Sequence, residues 1–179
     1  MGAGAGQRDM TGKLIYAVSN IGVGWVGVLG SNSGLLEVTL PQGTAREAER
    51  QLGGGVRGAI RSDDFFADLM ERLRSYFAGR RVDFDDELDF SAATAFQLGV
   101  WRLTRLIPYG ETRSYGWVAE KLGKAGAGRA VGQALGKNPL SIIIPCHRVV
   151  TSDGKLGGFT GGLRMKRLLL RLETSTSVR

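Results

Sequence analysis

The sequence predicts a chain of two unlike parts: an α/β unit built from antiparallel strands plus helices, then a mostly helical unit. Three observations predict it. Short β-branched and aromatic runs, punctuated by Asn, Gly and Ser, open the chain. After residue 91, helical apolar stripes with Ser, Gly and Pro boundaries take over. The charge also changes sign between the parts: residues 1–90 carry 10 Lys and Arg against 13 Asp and Glu, whereas residues 91–179 carry 14 against 4. We therefore divide the chain into 1–90 and 91–179.

In the first part KLIYAVS, GWVGVLG and LLEVTL, from Lys13, Gly24 and Leu35, read as hairpin-linked strands. Thr44 to Leu52 makes one or two helical turns, and the glycines at 53–55 a loop. Ser62, followed by Asp63 and Asp64, is expected to cap a helix whose apolar face is Phe65, Leu69, Leu73 and Phe77, closed by Gly79. VDFDDELDF then reads as a linker or an edge strand.

In the second part a helix is expected over Ala92 to Leu106, with Phe96, Val100, Leu103 and Ile107 on one stripe and Pro108-Tyr109-Gly110 as its stop. Ser114 caps a second helix, YGWVAEKL, which ends at Gly123. A third runs from about Ala127 to Leu135. Two short helices about a glycine turn have the form of a helix-turn-helix. The small residues Ala127, Gly128, Ala130, Gly132 and Ala134 serve either close helix packing or close approach to another molecule, with Arg129 as the long charged side chain among them. Asn138-Pro139 breaks that helix, since the residue before proline avoids the α region. The chain is then expected to run extended through SIIIP, turn at residues 152–154, pass the glycine-rich loop GGFTGG and close with a helix from Leu163 to about Glu173.

Composition narrows the function classes. At 179 residues and 42% apolar content the chain can bury a substantial core. Its single cysteine forms no internal disulfide, which points to a reducing compartment: the cytoplasm, near the nucleoid, or the nucleus of a eukaryote. The N-terminus lacks a signal-like apolar region and is expected to be a flexible lead-in. No apolar run approaches a membrane span. One cysteine and one histidine cannot build a Cys/His zinc site, so no metal or cofactor is expected. The basic second half is either a solvated face or the footprint of a polyanion.

The chemistry concentrates in IIIPCHRVV, where the only cysteine, Cys146, adjoins the only histidine, His147. A cysteine in an apolar run is ordinarily a buried small hydrophobe. Here a neighbouring imidazole can take its proton and hold the sulfur as the reactive thiolate. Adjacent side chains on a strand face opposite ways, so either the chain turns at Cys146 or a water carries the proton. Glu173 is available to orient His147.

PCHRV, preceded by a helix carrying RAVG and by Asn-Pro, and followed by GGFTGG, resembles the O6-alkylguanine-DNA alkyltransferase family closely over residues 93–173. The resemblance implies a ribonuclease-H-like first domain and a winged helix-turn-helix second domain. It implies that Cys146 accepts the alkyl group, His147 activates it through a water and Glu173 orients His147. Tyr115 would rotate the nucleotide and contact its base, Arg129 would fill the gap left in the stack, and Asn138 would tie the recognition helix to the cysteine loop. Thr160 would stand beside the guanine O6, Phe159 takes a position where the family has tyrosine, and the backbone near Val149 would read the exocyclic amine. Ala127, Gly132, Lys124 and Ser152 complete the implied DNA contacts. The implied partner is double-stranded DNA carrying O6-alkylguanine, approached from the minor groove by a monomer, with no membrane partner. Family proteins without activity carry tryptophan in place of the cysteine, and Cys146 argues against that group. Two rivals remain: a non-catalytic helix-turn-helix DNA-binding protein and a Cys-His hydrolase.

Overall fold

The computed structural model describes residues 12–175, so the expected lead-in lies outside the described residues. Strands β1 (Ile15–Asn20), β2 (Trp25–Ser31) and β3 (Gly34–Val38) form the expected antiparallel meander. A short strand that the sequence did not announce, β4 (Ile60–Arg61), adds to the far edge of β1 in parallel, giving the order β3-β2-β1-β4. Helix α1 (Ala45–Gln51) starts at a reciprocal capping box in which Thr44 and Glu47 each accept the other's backbone N–H. It packs directly on β2 at Gly27, where a Cβ would stand 3.0 Å from the Ala48 carbonyl oxygen.

Three local expectations for the first part are corrected. The glycines at 53–55 form a 3-10 turn, Gly53–Val56, and not an irregular loop. Helix α2 (Ala67–Phe77) is not capped by Ser62; a 3-10 turn at Asp64–Phe66 leads into it, with no side-chain cap. That tighter turn rotates the phenylalanine pair, so Phe66 is buried and Phe65 is 44% exposed. Leu69, Leu73 and Phe77 do face the core, and Gly79 ends the helix at φ 81°. The acidic segment after it is neither a free linker nor a strand. It bridges β3 at one point, with Leu35 N–H donating to Glu87 and Asp89 N–H donating to Leu35, both at 2.8 Å. Asp86 forms a two-pronged pair with Arg72 at 2.7 and 2.8 Å.

The second part holds α3 (Ala95–Arg105), α4 (Tyr115–Lys121), α5 (Gly128–Gly136) and α6 (Gly162–Ser175). Helix α3 begins later than expected because Thr94 and Gln97 form a second capping box. Its buried face adds Trp101, whose indole N–H donates to the Ala134 carbonyl at 3.0 Å and pins α3 to α5. Ser114 caps α4 as expected, accepting from Trp117 N–H. Strands β5 (Arg113–Ser114) and β6 (Val149–Val150) pair in parallel beside the helix-turn-helix.

One hydrophobic core runs through both parts. The end of β3 braces the chain that leads to the cysteine: Val38 N–H donates to Pro139 at 2.8 Å and Ser141 N–H returns to Val38 at 3.2 Å. Among the described residues, no helix is long and apolar enough to cross a membrane.

Candidate active site

The approach to Cys146 is not the extended strand that SIIIP suggested. Ile142 sits at φ 74°, a conformation that a β-branched residue adopts only under constraint. Ile144 N–H closes back on Leu140 at 2.9 Å. Pro145 then takes φ −79° and ψ 62°, and Cys146 N–H reaches Ile144 at 2.7 Å, an inverse γ-turn. Cys146–Arg148 continues as a 3-10 turn. The chain therefore turns at the cysteine, which is how neighbouring Cys and His side chains escape the opposite-face rule of a strand.

Asn138 holds this loop to the end of α5. Its Oδ1 accepts from Leu140 N–H at 2.9 Å, and its Nδ2 donates to the Ile144 carbonyl at 3.0 Å and to Cys146 Sγ at 3.4 Å. Burial pushes the Cys146 thiol above its ordinary value, although Asn138, the Lys166 charge and nearby backbone N–H groups pull the other way. A site this buried favours the neutral thiol and opposes the thiolate that the neighbouring imidazole would stabilise.

His147 is fully buried. Its Nε2 lies 2.7 Å from Glu173 Oε1, so Nε2 carries the hydrogen and Nδ1 is left as the basic nitrogen. Among the described residues, Nδ1 is the buried side-chain N or O atom without a protein hydrogen-bond partner. Burial lowers the imidazole below its ordinary value, opposed by Glu173 and reinforced by the Arg148 and Lys166 charges. Glu173 accepts further from Tyr76 Oη at 2.7 Å, Arg148 Nε at 2.9 Å, Arg148 Nη2 at 3.0 Å and Gly110 N–H at 3.1 Å. Burial alone would raise this carboxyl; the His147 and Arg148 hydrogen bonds and charges outweigh it and hold it at about 2.

In front of the sulfur lies a cavity of about 540 Å³, inside the range of roughly 300–1,000 Å³ usual for small-molecule pockets. Cys146, Tyr115, Arg129, Gly132, Phe159 and Thr160 all line it. The Tyr115 ring packs so closely on Gly157 that a Cβ there would come within 2.8 Å of it, and its hydroxyl reaches the Gly158 carbonyl at 3.3 Å. Thr160 Oγ1 donates to Gly136 at 3.2 Å and ties the glycine-rich loop to α5.

The other expected residues lie outside the cavity lining. Val149 is buried in β6, and its carbonyl accepts the Lys166 ammonium at 2.6 Å. Ala127 is half-buried just ahead of α5, Lys124 is exposed in the turn before it, and Ser152 is exposed in the turn after β6. Three residues that sequence reasoning passed over are central. Lys166 is fully buried, donates also to Gly158 at 3.2 Å, and is brought down to about 8 by burial, with Cys146 opposing. Arg148 clamps Glu173 and donates to Ile107 at 2.6 Å. Tyr76 comes from the other half of the chain. Lys166, Leu169 and Glu173 share one helical face at i, i+3 and i+7, a spacing that could have marked the buried lysine.

Comparison with known proteins places this geometry in a lineage. Residues 95–175 match the 6-O-methylguanine DNA methyltransferase, DNA binding domain, and residues 14–90 match the ribonuclease-like domain of the same family. A methylated-DNA–protein-cysteine methyltransferase of Mycolicibacterium paratuberculosis is 55% identical over 108 residues, covering 60% of this chain and 65% of its own, so that match spans slightly under two thirds of the relative. The protein of that name from Methanosarcina acetivorans is 38% identical over 162 residues, covering 90% of this chain and 99% of its own. The crystal structure of Mycobacterium tuberculosis OGT in complex with DNA superposes with a TM-score of 0.77 at 38% identity, over 90% of this chain and 94% of that one. Two family models that together match residues 14–90 and 95–175, and a relative 38% identical over 99% of its own length, place the chain in the 6-O-methylguanine DNA methyltransferase family.

Proposed function

We propose that this protein repairs DNA by direct reversal, moving the alkyl group of O6-alkylguanine irreversibly onto its own Cys146. The observation that carries this reading is the opening of a base-sized cavity onto the one thiol of the chain, with a buried His147–Glu173 pair adjoining it. The sulfur–carbon bond forms as the bond from that carbon to guanine O6 breaks. The thiol's proton passes to His147 Nδ1, through a water. The leaving guanine takes a proton from the Tyr115 hydroxyl, which recovers it from solvent as His147 releases its own. Among the described residues no group is placed to cleave a thioether, so each molecule acts once.

The partner is DNA, and the lesion must leave the stack before a buried sulfur can meet it, at a cost of a few kcal/mol. Arg129, exposed on α5, fills the gap. The half-exposed small residues of that helix, Gly128 and Gly132, permit an approach along the minor groove, which carries little sequence information and suits a repair protein. Phe159 packs the base and the Thr160 hydroxyl meets its O6. Ala127, Lys124 and Ser152 meet the backbone around it, with affinity that falls as salt rises. The protein works as a monomer in the compartment that holds the DNA.

The test is a stoichiometric one. Wild type incubated with duplex DNA containing O6-methylguanine should gain one methyl group, located on Cys146 by mass spectrometry, with one lesion repaired per molecule. DNA binding with no mass change would favour the non-catalytic helix-turn-helix reading, and repeated turnover would favour a hydrolase.

A further inference from the structure

Helix α2 belongs to the first half of the chain, yet one of its side chains touches the relay of the second. Tyr76 is fully buried, and its hydroxyl donates to Glu173 Oε1 at 2.7 Å while lying 3.3 Å from His147 Nε2. Packing does not require that hydroxyl. The ring makes edge contacts with Phe77, Phe84 and Tyr109 at centroid distances of 5.4, 5.9 and 6.3 Å, all open equally to phenylalanine. We propose that Tyr76 is a positioning residue for alkyl transfer, fixing Glu173 and through it the working tautomer of His147.

The need for such a residue follows from where Glu173 stands. It lies in the last turn of α6, where helix ends fray and the helix dipole disfavours a negative charge. Donors must therefore offset the charge and aim the carboxylate. Arg148 supplies two from the short turn that also holds His147, and Gly110 N–H supplies one from the loop after α3. Tyr76 is anchored independently, in a helix whose Leu73 and Met70 are part of the core. It therefore ties the relay to a frame outside the cysteine loop. Both oxygens facing His147 Nε2, those of Glu173 and Tyr76, are acceptors toward it once the phenol proton is committed to Glu173. That arrangement keeps the hydrogen on Nε2 and the basic lone pair on Nδ1. Burial, then the Glu173 charge, holds the phenol far above its ordinary value, so it stays a donor at any working pH. The first half of the chain thereby takes part in the chemistry and does more than support it.

This role rests on the alkyl-transfer reading, and the test separates the two. Methyl uptake from O6-methylguanine duplex is measured for wild type, Tyr76→Phe, Glu173→Gln and the double variant. Uptake by wild type tests the function; a wild type that takes up none overturns the function and this role together. With wild type active, Tyr76→Phe should slow uptake about tenfold, yet slow Glu173→Gln no further, because both act through one carboxylate. A second readout uses the protein's single histidine, whose ring nitrogens give one unambiguous pair of 15N resonances. Wild type should show the Nε2–H tautomer and Tyr76→Phe a mixed one. Equal effects of Tyr76→Phe in both backgrounds, or unchanged rate and unchanged 15N shifts, would overturn the proposal.

Discussion

Replacing Glu173 by glutamine keeps the shape of the side chain and removes its charge, so it measures what the buried carboxylate contributes. The structure gives the magnitude in two ways. The carboxyl is held at about 2 against an ordinary 4.5. At about 1.4 kcal/mol per unit, that difference is worth about 3 kcal/mol of folding stability at neutral pH. Breaking a buried ion pair from one side costs roughly 3–5 kcal/mol, and here Arg148 would keep its charge with a side chain only 11% exposed. Glutamine retains one carbonyl acceptor, so the lower end applies. Urea unfolding at pH 7 should find the variant weaker by about 3 kcal/mol. The pH dependence follows from the direction of the shift. A depressed carboxyl stabilises fully above its unfolded value and loses that contribution as pH falls toward its folded one. The gap between wild type and Glu173→Gln should therefore hold steady from pH 7 to about pH 5 and close between about 4.5 and 2. A loss under about 1 kcal/mol, or a gap still undiminished at pH 3, would refute the assignment of Glu173 as the ionised centre of this network.

Two more outcomes follow from the site. In DNA-free protein, the rate at which a small alkylating reagent modifies Cys146 should rise with pH about a midpoint above 9, because burial favours the neutral thiol; a midpoint below 8 would restore the picture of a resting thiolate. Gly132→Ala should stabilise α5 by about 0.5–1 kcal/mol, since its Cβ would meet the Tyr115 ring at an ordinary 3.6 Å, while weakening DNA binding several-fold by filling the small-residue face. A gain in thermal stability with unchanged affinity in a DNA titration would remove that face from the interface.

What the sequence made legible was local or punctuated. Ser114 before α4, the glycine turns about the helix-turn-helix and the Leu69–Leu73–Phe77 stripe each declare themselves within a few residues. The misreadings were local ties decided from a distance. Ser62 is an acceptable cap by type, but burying Phe66 against the sheet selects a 3-10 entry that leaves no use for it. The acidic run after α2 alternates apolar and acidic residues from Val82 to Phe90 as an edge strand would, yet it pairs with β3 only at Leu88, and the Arg72–Asp86 pair sets the rest of its path. Tyr76 was hidden for a related reason. It follows Leu73 at i+3 and so lies on the stripe already assigned to the core, where an aromatic ring is unremarkable. The clue was its hydroxyl: a tyrosine on a fully buried stripe needs an acceptor, and none lies nearby in sequence. Its acceptor is 97 residues away.

The arrangement of charges explains how a thiol can be both buried and reactive. Burial raises Cys146 and lowers His147, which disfavours a standing thiolate–imidazolium pair and slows the resting sulfur toward chance electrophiles. Alkyl transfer does not need that pair to persist. Taken as a whole, a neutral thiol and a neutral alkylguanine become a neutral thioether and a neutral guanine, so both ends of the reaction suit an apolar site. Only the passage between them separates charge, and the fixed groups lie where that charge develops: Lys166 and the Asn138 amide toward the sulfur, Glu173 toward the imidazole. The product has no ionisable sulfur left for His147 to act on. A thioether offers no leaving proton and no ready leaving group, so the proposed transfer is final for chemical reasons that burial does not supply.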